Sequence, residues 1–266
     1  MAESYVSGLR ARIGSRKVLL SCTGALVLND SGAILWGYSE DFKCWGLPGG
    51  YMELGESVVT GVQREVLEET GLVVEPMRLI GINSFDSCYP NGDKVWGLSV
   101  TLECAVVNGI LKPDAAEVRE LRFWDRGTIP SNVLPECARV ATEFFNRNIP
   151  SFEAPVSSLM PNADERTVRA LVGTSRMLTV GVGGIVRNAA GHILLTKRAD
   201  SGLWGLPAGL SNPQFPASKS RTMLVHDGSA FSGTVPRSQN RSSLTSVRSG
   251  CNAPPSIRHS SAKVTA

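Results

Sequence analysis

Histidine is scarce and badly placed for chemistry in the front of this chain. His192, His226 and His259 all fall beyond residue 190, so the first part can build neither a histidine-liganded zinc site nor a histidine general base. No CxxC spacing occurs among Cys22, Cys44, Cys88, Cys104, Cys137 and Cys251, which favours reduced thiols over a disulfide framework. No apolar run reaches the length of a membrane span, and the opening MAESYVSGLRARIGSRKVLL has no sustained hydrophobic core. A cytoplasmic protein without membrane contact is expected. Acids are also unevenly missing: residues 1–150 hold 19 Asp and Glu against 14 Lys and Arg, whereas Asp227 is the one acid in 210–266. The net charge of +3 therefore joins an acidic front to a basic end. Because aromatic residues do not interleave with those basic residues, nucleic acid is not an expected partner.

What is present sorts into alternating elements. Residues 18–28 (VLLSCTGALVL) and 33–38 are predicted strands, joined by the turn NDSG into a hairpin. Over GESVVTGVQREVLEETG the period changes: Val58, Val62 and Val66 recur every four residues, and Gly71 is placed to close a helix. Further strands are expected at 77–88 and 94–107 about the turn at Asn91 and Gly92, with a fifth at 121–125 and an amphipathic helix at 135–147. This order predicts an α/β fold, an α/β sandwich with a mixed β-sheet.

The prolines of NIPSFEAPVSSLMPN mark 148–162 as a linker between a first domain, 1–147, and a second segment, 163–209. At a constant offset of 159 and without gaps, residues 182–209 repeat 23–50, matching Gly24 with Gly183, Gly32 with Gly191 and Trp45 with Trp204. The repeat breaks after WGLPAG, and no acid occurs in 210–226, so this copy cannot supply carboxylates there. Residues 210–266, rich in Ser, Pro and Arg, are expected to be a disordered tail or an out-of-frame translation.

The helix raises the chemical question. With Val62 at zero and 100° per residue, Glu69 falls at about −20°, Glu65 at about −60° and Glu68 at about −120°. Glu69 therefore lies inside the apolar stripe of Val58 and Val66, and the three acids run from that stripe to its edge. Like charges at i,i+4 cost about 0.2–0.5 kcal/mol even in an isolated helix, and burying them unpaired costs more. Arg64 alone cannot offset three carboxylates. A hard divalent cation can, because such ions take oxygen ligands and bridge carboxylates to phosphates.

Gly50, Glu56, Arg64, Glu65, Val66, Glu68, Glu69, Gly71 and Leu72 fit, without departure, the pattern G-x5-E-x7-R-E-U-x-E-E-x-G-U, with U bulky and aliphatic. On these residues the chain resembles the Nudix hydrolases, and the preceding WGLPGG is similar to that family's lead-in. The resemblance covers about residues 18–147, and 163–209 resembles a truncated second repeat. It implies a Nudix-type α/β/α sandwich that hydrolyses a nucleoside diphosphate linked to another moiety. It also implies Mg²⁺ or Mn²⁺ held by the Gly50 carbonyl, Glu65, Glu68 and Glu69. Arg64 would orient a neighbouring glutamate, Glu56 would support, and Glu65 or Glu117 could activate the water. Trp36, Tyr38 and Tyr89 are candidate substrate-binding rings, with Phe85 and Trp96 near them. Tyr89 and Pro90 resemble downstream residues of diadenosine polyphosphate and ADP-ribose hydrolases respectively. A nucleotide is the expected partner, a homodimer is allowed, and a nucleotide-binding sensor without hydrolysis is the alternative.

Overall fold

The computed structural model describes residues 4–125, 128–147, 149–152, 165–210, 221–226 and 229–233. The chain divides into two units, Met1–Val180 and Gly181–Ala266. The first comprises α1 (Tyr5–Ile13), β1 (Val18–Leu28), β2 (Ile34–Ser39), β3 (Trp45–Gly46), α2 (Val58–Thr70), β4 (Leu72–Cys88), β5 (Lys94–Gly109), β6 (Val118–Trp124), α3 (Pro135–Phe145), β7 (Ser151–Phe152) and α4 (Glu165–Val172).

One seven-stranded mixed sheet runs β3-β2-β1-β5-β4-β7, with β6 pairing β2 off this path. The expected β1–β2 hairpin forms but is short, its antiparallel strands pairing at Leu28↔Ile34. On its other edge β1 lies parallel to β5 from Val18↔Val95 to Leu28↔Ala105, and β2 lies antiparallel to β6. Along the edge that β2 leaves, the loop before α2 completes the backbone pairing of β1: Ala25 N–H donates to Pro48 O at 2.8 Å, Thr23 N–H to Gly50 O at 2.9 Å and Met52 N–H to Ser21 O at 3.0 Å. The second hairpin also forms, with β4 antiparallel to β5 and Gly92 at φ 86° in the turn.

Alternation along β1 sorts the packing by face. Ala25 and Val27 meet Val62 and Val66 of α2, whereas Leu26 meets Val140 and Ala141 of α3 on the opposite face. Val18 and Leu20 share that second face but pack with Leu9 and Ile13 of α1 and with Val168 and Val172 of α4. Two separate helical clusters thus cover one side of the sheet, and the β1 residues between them are Cys22 and Gly24.

The first unit runs through the stretch expected to be a linker, which moves the boundary from 147 to 180. Gly81 and Ile82 of β4 pair with Ser151 and Phe152, and α4 buries Val168 and Val172, so segments on both sides of the prolines belong to this unit. Residues 153–164 lie outside those described.

Helix α2 starts at a capping box: Thr60 N–H donates to Ser57 Oγ at 3.1 Å and Ser57 N–H donates to Thr60 Oγ1 at 3.0 Å. It ends at Gly71 in the left-handed conformation. Ser57→Ala is expected to lower stability by about 1 kcal/mol, read as a shift in the urea midpoint at constant slope.

The second unit holds β8 (Gly181–Gly183), β9 (Ile193–Lys197), β10 (Trp204–Gly205), β11 (Ala208–Leu210), β12 (Arg221–His226) and β13 (Ser229–Gly233). Its hydrogen bonds match those of the first unit at the offset of 159. Trp204↔Lys197 corresponds to Tyr38↔Trp45, and Gly184 N–H to Pro207 O at 2.9 Å corresponds to Ala25 N–H to Pro48 O at 2.8 Å. Strand β12 pairs with β9 as β6 does with β2. Within the stretch expected to be a disordered tail or an out-of-frame translation, residues 221–226 and 229–233 are strands, while 211–220, 227–228 and 234–266 lie outside the described residues. No helix follows β11 among the described residues of this unit.

Candidate active site

Each acid of the glutamate helix has a defined place. Val62 and Val66 are fully buried, Glu65 is 8% exposed among them, and the Glu68 side chain, at 58%, stands on the solvent edge. The loop before α2 meets them from above. Gly49 takes φ 149° so close to β1 that a Cβ would lie 2.2 Å from the Thr23 carbonyl oxygen. Gly49 N–H donates to Glu69 Oε2 at 3.0 Å, and the Gly50 carbonyl accepts from Thr23 N–H at 2.9 Å. A Cβ on Gly50 would meet the Glu65 carboxylate at 2.7 Å. Gly50→Ala is therefore expected to displace that carboxylate and lower kcat by about tenfold or more, measured by steady-state turnover beside a thermal melt.

Arg64 organises the acids. Its Nε and Nη2 hold Glu56 at 2.7 and 3.0 Å, its Nη1 reaches Glu65 Oε1 at 2.8 Å and Glu68 Oε2 at 2.9 Å, and Nη2 also donates to the Tyr51 carbonyl at 3.0 Å. All five guanidinium donors are thereby directed to acceptors. Arg64 holds Glu56 below the ordinary carboxylate range. Burial acts in the other direction on the helix: Glu65 rises to about 7, against the pull of Arg64 and with Glu68 and Glu117 adding. Glu69 rises to about 8 by burial, against the Gly49 N–H, with Glu65, Glu117 and Glu68 adding. Glu117, just before β6, is raised by burial and by Asp114, Glu68 and Asp41.

These groups line a cleft of about 520 Å³ on the sheet face left open between the α1 and α3 clusters. Gly50, Arg64, Glu65, Glu68, Glu69 and Glu117 all border it, so the sequence-derived acids come together. The candidate rings do not. Trp36 is fully buried under α3, a correction that follows from its inward position on β2. Tyr38 also stays outside the cleft lining: Arg119 lies 4.1 Å over its ring and Trp45 packs at its edge. Trp96 is covered by Lys17 at 5.9 Å. Tyr89 and Phe85 do line the cleft, and the Tyr89 hydroxyl lies 2.7 Å from that of Tyr51.

Sequence reasoning missed Asn83, Ser87, Ser99 and Thr101, which also line the cleft. The two-residue spacing of 83, 85 and 87 was the available signal, since alternate residues of a strand share a face.

The oxygen donors suit a hard divalent cation, and the raised pKa values mark carboxylates short of positive charge. Among the described residues, however, no group of three or more acids, cysteines or histidines is drawn together around one point. Glu65 and Glu68 are turned to Arg64 instead.

An acidic helix over a mixed sheet, bordering a cleft on the opposite face, defines a domain of the Nudix type. A family model described as NUDIX domain matches residues 19–140. The chain is 46% identical over 114 residues to a MutT-like protein of Streptomyces ambofaciens, covering 38% of this chain and 71% of that protein. It is 36% identical over 93 residues to an ADP-ribose pyrophosphatase of Methanocaldococcus jannaschii, covering 35% of this chain and about half, 53%, of that one. The crystal structure of the MutT protein from Methanosarcina mazei Go1 matches with 26% identity and a TM-score of 0.41, over 51% of this chain and 98% of that one. The chain belongs to the Nudix family. Among the described residues no helix is long and apolar enough to cross a membrane.

Proposed function

We propose that this chain is a pyrophosphohydrolase using Mg²⁺ or Mn²⁺ to split a nucleoside diphosphate linked to a second moiety. The products are a nucleoside monophosphate and the phosphate of that moiety. One observation carries the reading: Glu65, Glu68 and Glu69 of one helix all border a single cleft of nucleotide size. Glu65, Glu68, Glu69 and the Gly50 carbonyl would hold the ion, which when bound neutralises the diphosphate and acidifies a water.

The chain's own groups do the rest. The Glu65 oxygen not held by Arg64 takes the proton of the attacking water as its oxygen bonds to phosphorus. The bridging P–O bond breaks, and the bridging oxygen leaves with the second phosphate. Arg64 keeps Glu65 in place, and Glu117, bordering the same cleft, is the second candidate base.

ADP-ribose, dinucleoside polyphosphates, nucleotide sugars and nucleoside triphosphates are all substrates of this kind. The likeness to a protein named as an ADP-ribose pyrophosphatase favours the first. The test is release of nucleoside monophosphate from this panel with Mg²⁺, with Mn²⁺ and with chelator. Metal-dependent release supports the proposal. Nucleotide binding without release from any member sinks it and leaves a nucleotide sensor.

A further inference from the structure

The cleft floor contains a feature that the phosphate chemistry does not use. Asn83 is 2% exposed, yet no donor among the described residues reaches its Oδ1. A buried carbonyl oxygen without a partner is disfavoured, and it persists where something else supplies the donor. Asn83 pairs across the sheet with Ser99, so both side chains stand on the same face, and both line the cleft. Two residues along β4, Phe85 reaches across its partner Gly97: a Cβ on Gly97 would sit 2.1 Å from Phe85 Cζ. The glycine leaves room for the ring in that place, which any larger residue would take. On the other side of Ser99, Thr101 Oγ1 closes over Gly24, 3.1 Å from the Cβ position there. An aromatic plane and an unpaired amide oxygen thus stand side by side on one strand, in the cleft that the glutamates border.

We propose that Phe85 stacks on the base of the bound nucleotide and that Asn83 selects a base with an amino group beside a ring nitrogen, adenine or cytosine, by accepting from that group. An amide edge complements an amino group beside a ring nitrogen, whereas guanine and uracil present a carbonyl at the corresponding position. Stacking on Phe85 contributes binding without discriminating among bases, and the discrimination lies with Asn83. The proposal rests on the pyrophosphohydrolase reading only in taking the cleft for a nucleotide site.

The test uses the full chain with Mg²⁺, titrated calorimetrically with AMP and with purine riboside 5′-monophosphate, which lacks only the amino group. AMP is expected to bind about 30-fold more tightly, because the analogue leaves Oδ1 unpaired. Asn83→Leu is expected to bring the two ligands within about threefold of each other, and Phe85→Ala to weaken both by about tenfold or more. The wild-type comparison needs no variant, so a misfolded mutant does not remove the test. Equal binding of the two ligands by the wild type, or a preference that survives Asn83→Leu, overturns the proposal. An AMP preference without hydrolysis of any diphosphate would sink the enzymatic reading alone. Hydrolysis without an AMP preference would sink the base assignment alone.

Discussion

Glu65→Gln is expected to lower the single-turnover rate by about a thousandfold, or ~4 kcal/mol in the barrier, while leaving the fold intact. The substitution keeps the shape and the carbonyl oxygen that accepts from Arg64 Nη1, so the ion-pair frame around Glu56 survives. It removes the anionic oxygen that would take the water's proton and one negative ligand for the cation. Because Glu65 is buried and its pKa is raised, loss of its charge removes an electrostatic cost to the metal-free protein, and the melting temperature without metal is expected to hold or rise. Glu120→Gln, at an exposed position of β6, is the matched control. A variant at position 65 that turns over within threefold of wild type would remove Glu65 from the mechanism and shift the role of base to Glu117.

Chelated protein should lose stability as pH rises. Glu65 titrates at about 7 and Glu69 at about 8 in the fold, against 4.5 for an ordinary glutamate, so the folded state holds these protons more tightly than the unfolded chain. Their contribution is complete below about pH 4.5 and disappears as pH climbs through 7 and 8. A shift of this size corresponds to about 3 kcal/mol for Glu65, which for a unit of this length lowers Tm by roughly 6–12 °C between pH 5 and 8. Glu56 has the opposite sign: its depressed pKa contributes above pH 4.5 and is lost only in more acid solution. Added Mg²⁺ should restore the melting temperature at pH 8, because a cation replaces the protons those carboxylates lack. Differential scanning fluorimetry in EDTA and in Mg²⁺, on wild type and on the double glutamine variant at 65 and 69, reads this directly. A flat pH profile for chelated wild type would mean that the helix acids are solvated.

The acids were legible in the sequence because a helix repeats every turn: spacing alone put Glu69 and Glu65 toward the valine stripe and Glu68 at its edge, and in the fold Glu65 is buried, Glu69 half-buried and Glu68 exposed. Strands β1 and β5 were legible from their apolar runs and the Asn91-Gly92 turn. The parallel pairing of β1 with β5 was not, since local turn chemistry points to the sequence neighbour on one edge and says nothing of the distant strand on the other. The short helix α1 escaped notice because Arg10 and Arg12 interrupt a stripe of only Leu9 and Ile13. Aromatic residues misled for a related reason. Trp36 and Phe85 look equally suited to stacking, and only the face on which each strand residue lands separates a core ring from a cleft ring.

Arg64 touches neither phosphorus nor water in the proposed reaction, yet its position admits one residue type. Its flat fork serves four residues at once, the carboxylates of Glu56, Glu65 and Glu68 and the Tyr51 carbonyl. Lysine carries the same charge on a single nitrogen with three hydrogens and cannot span that ring of acceptors. The guanidinium is thus a keystone, and the conservative exchange at this point would let the surrounding arch slip.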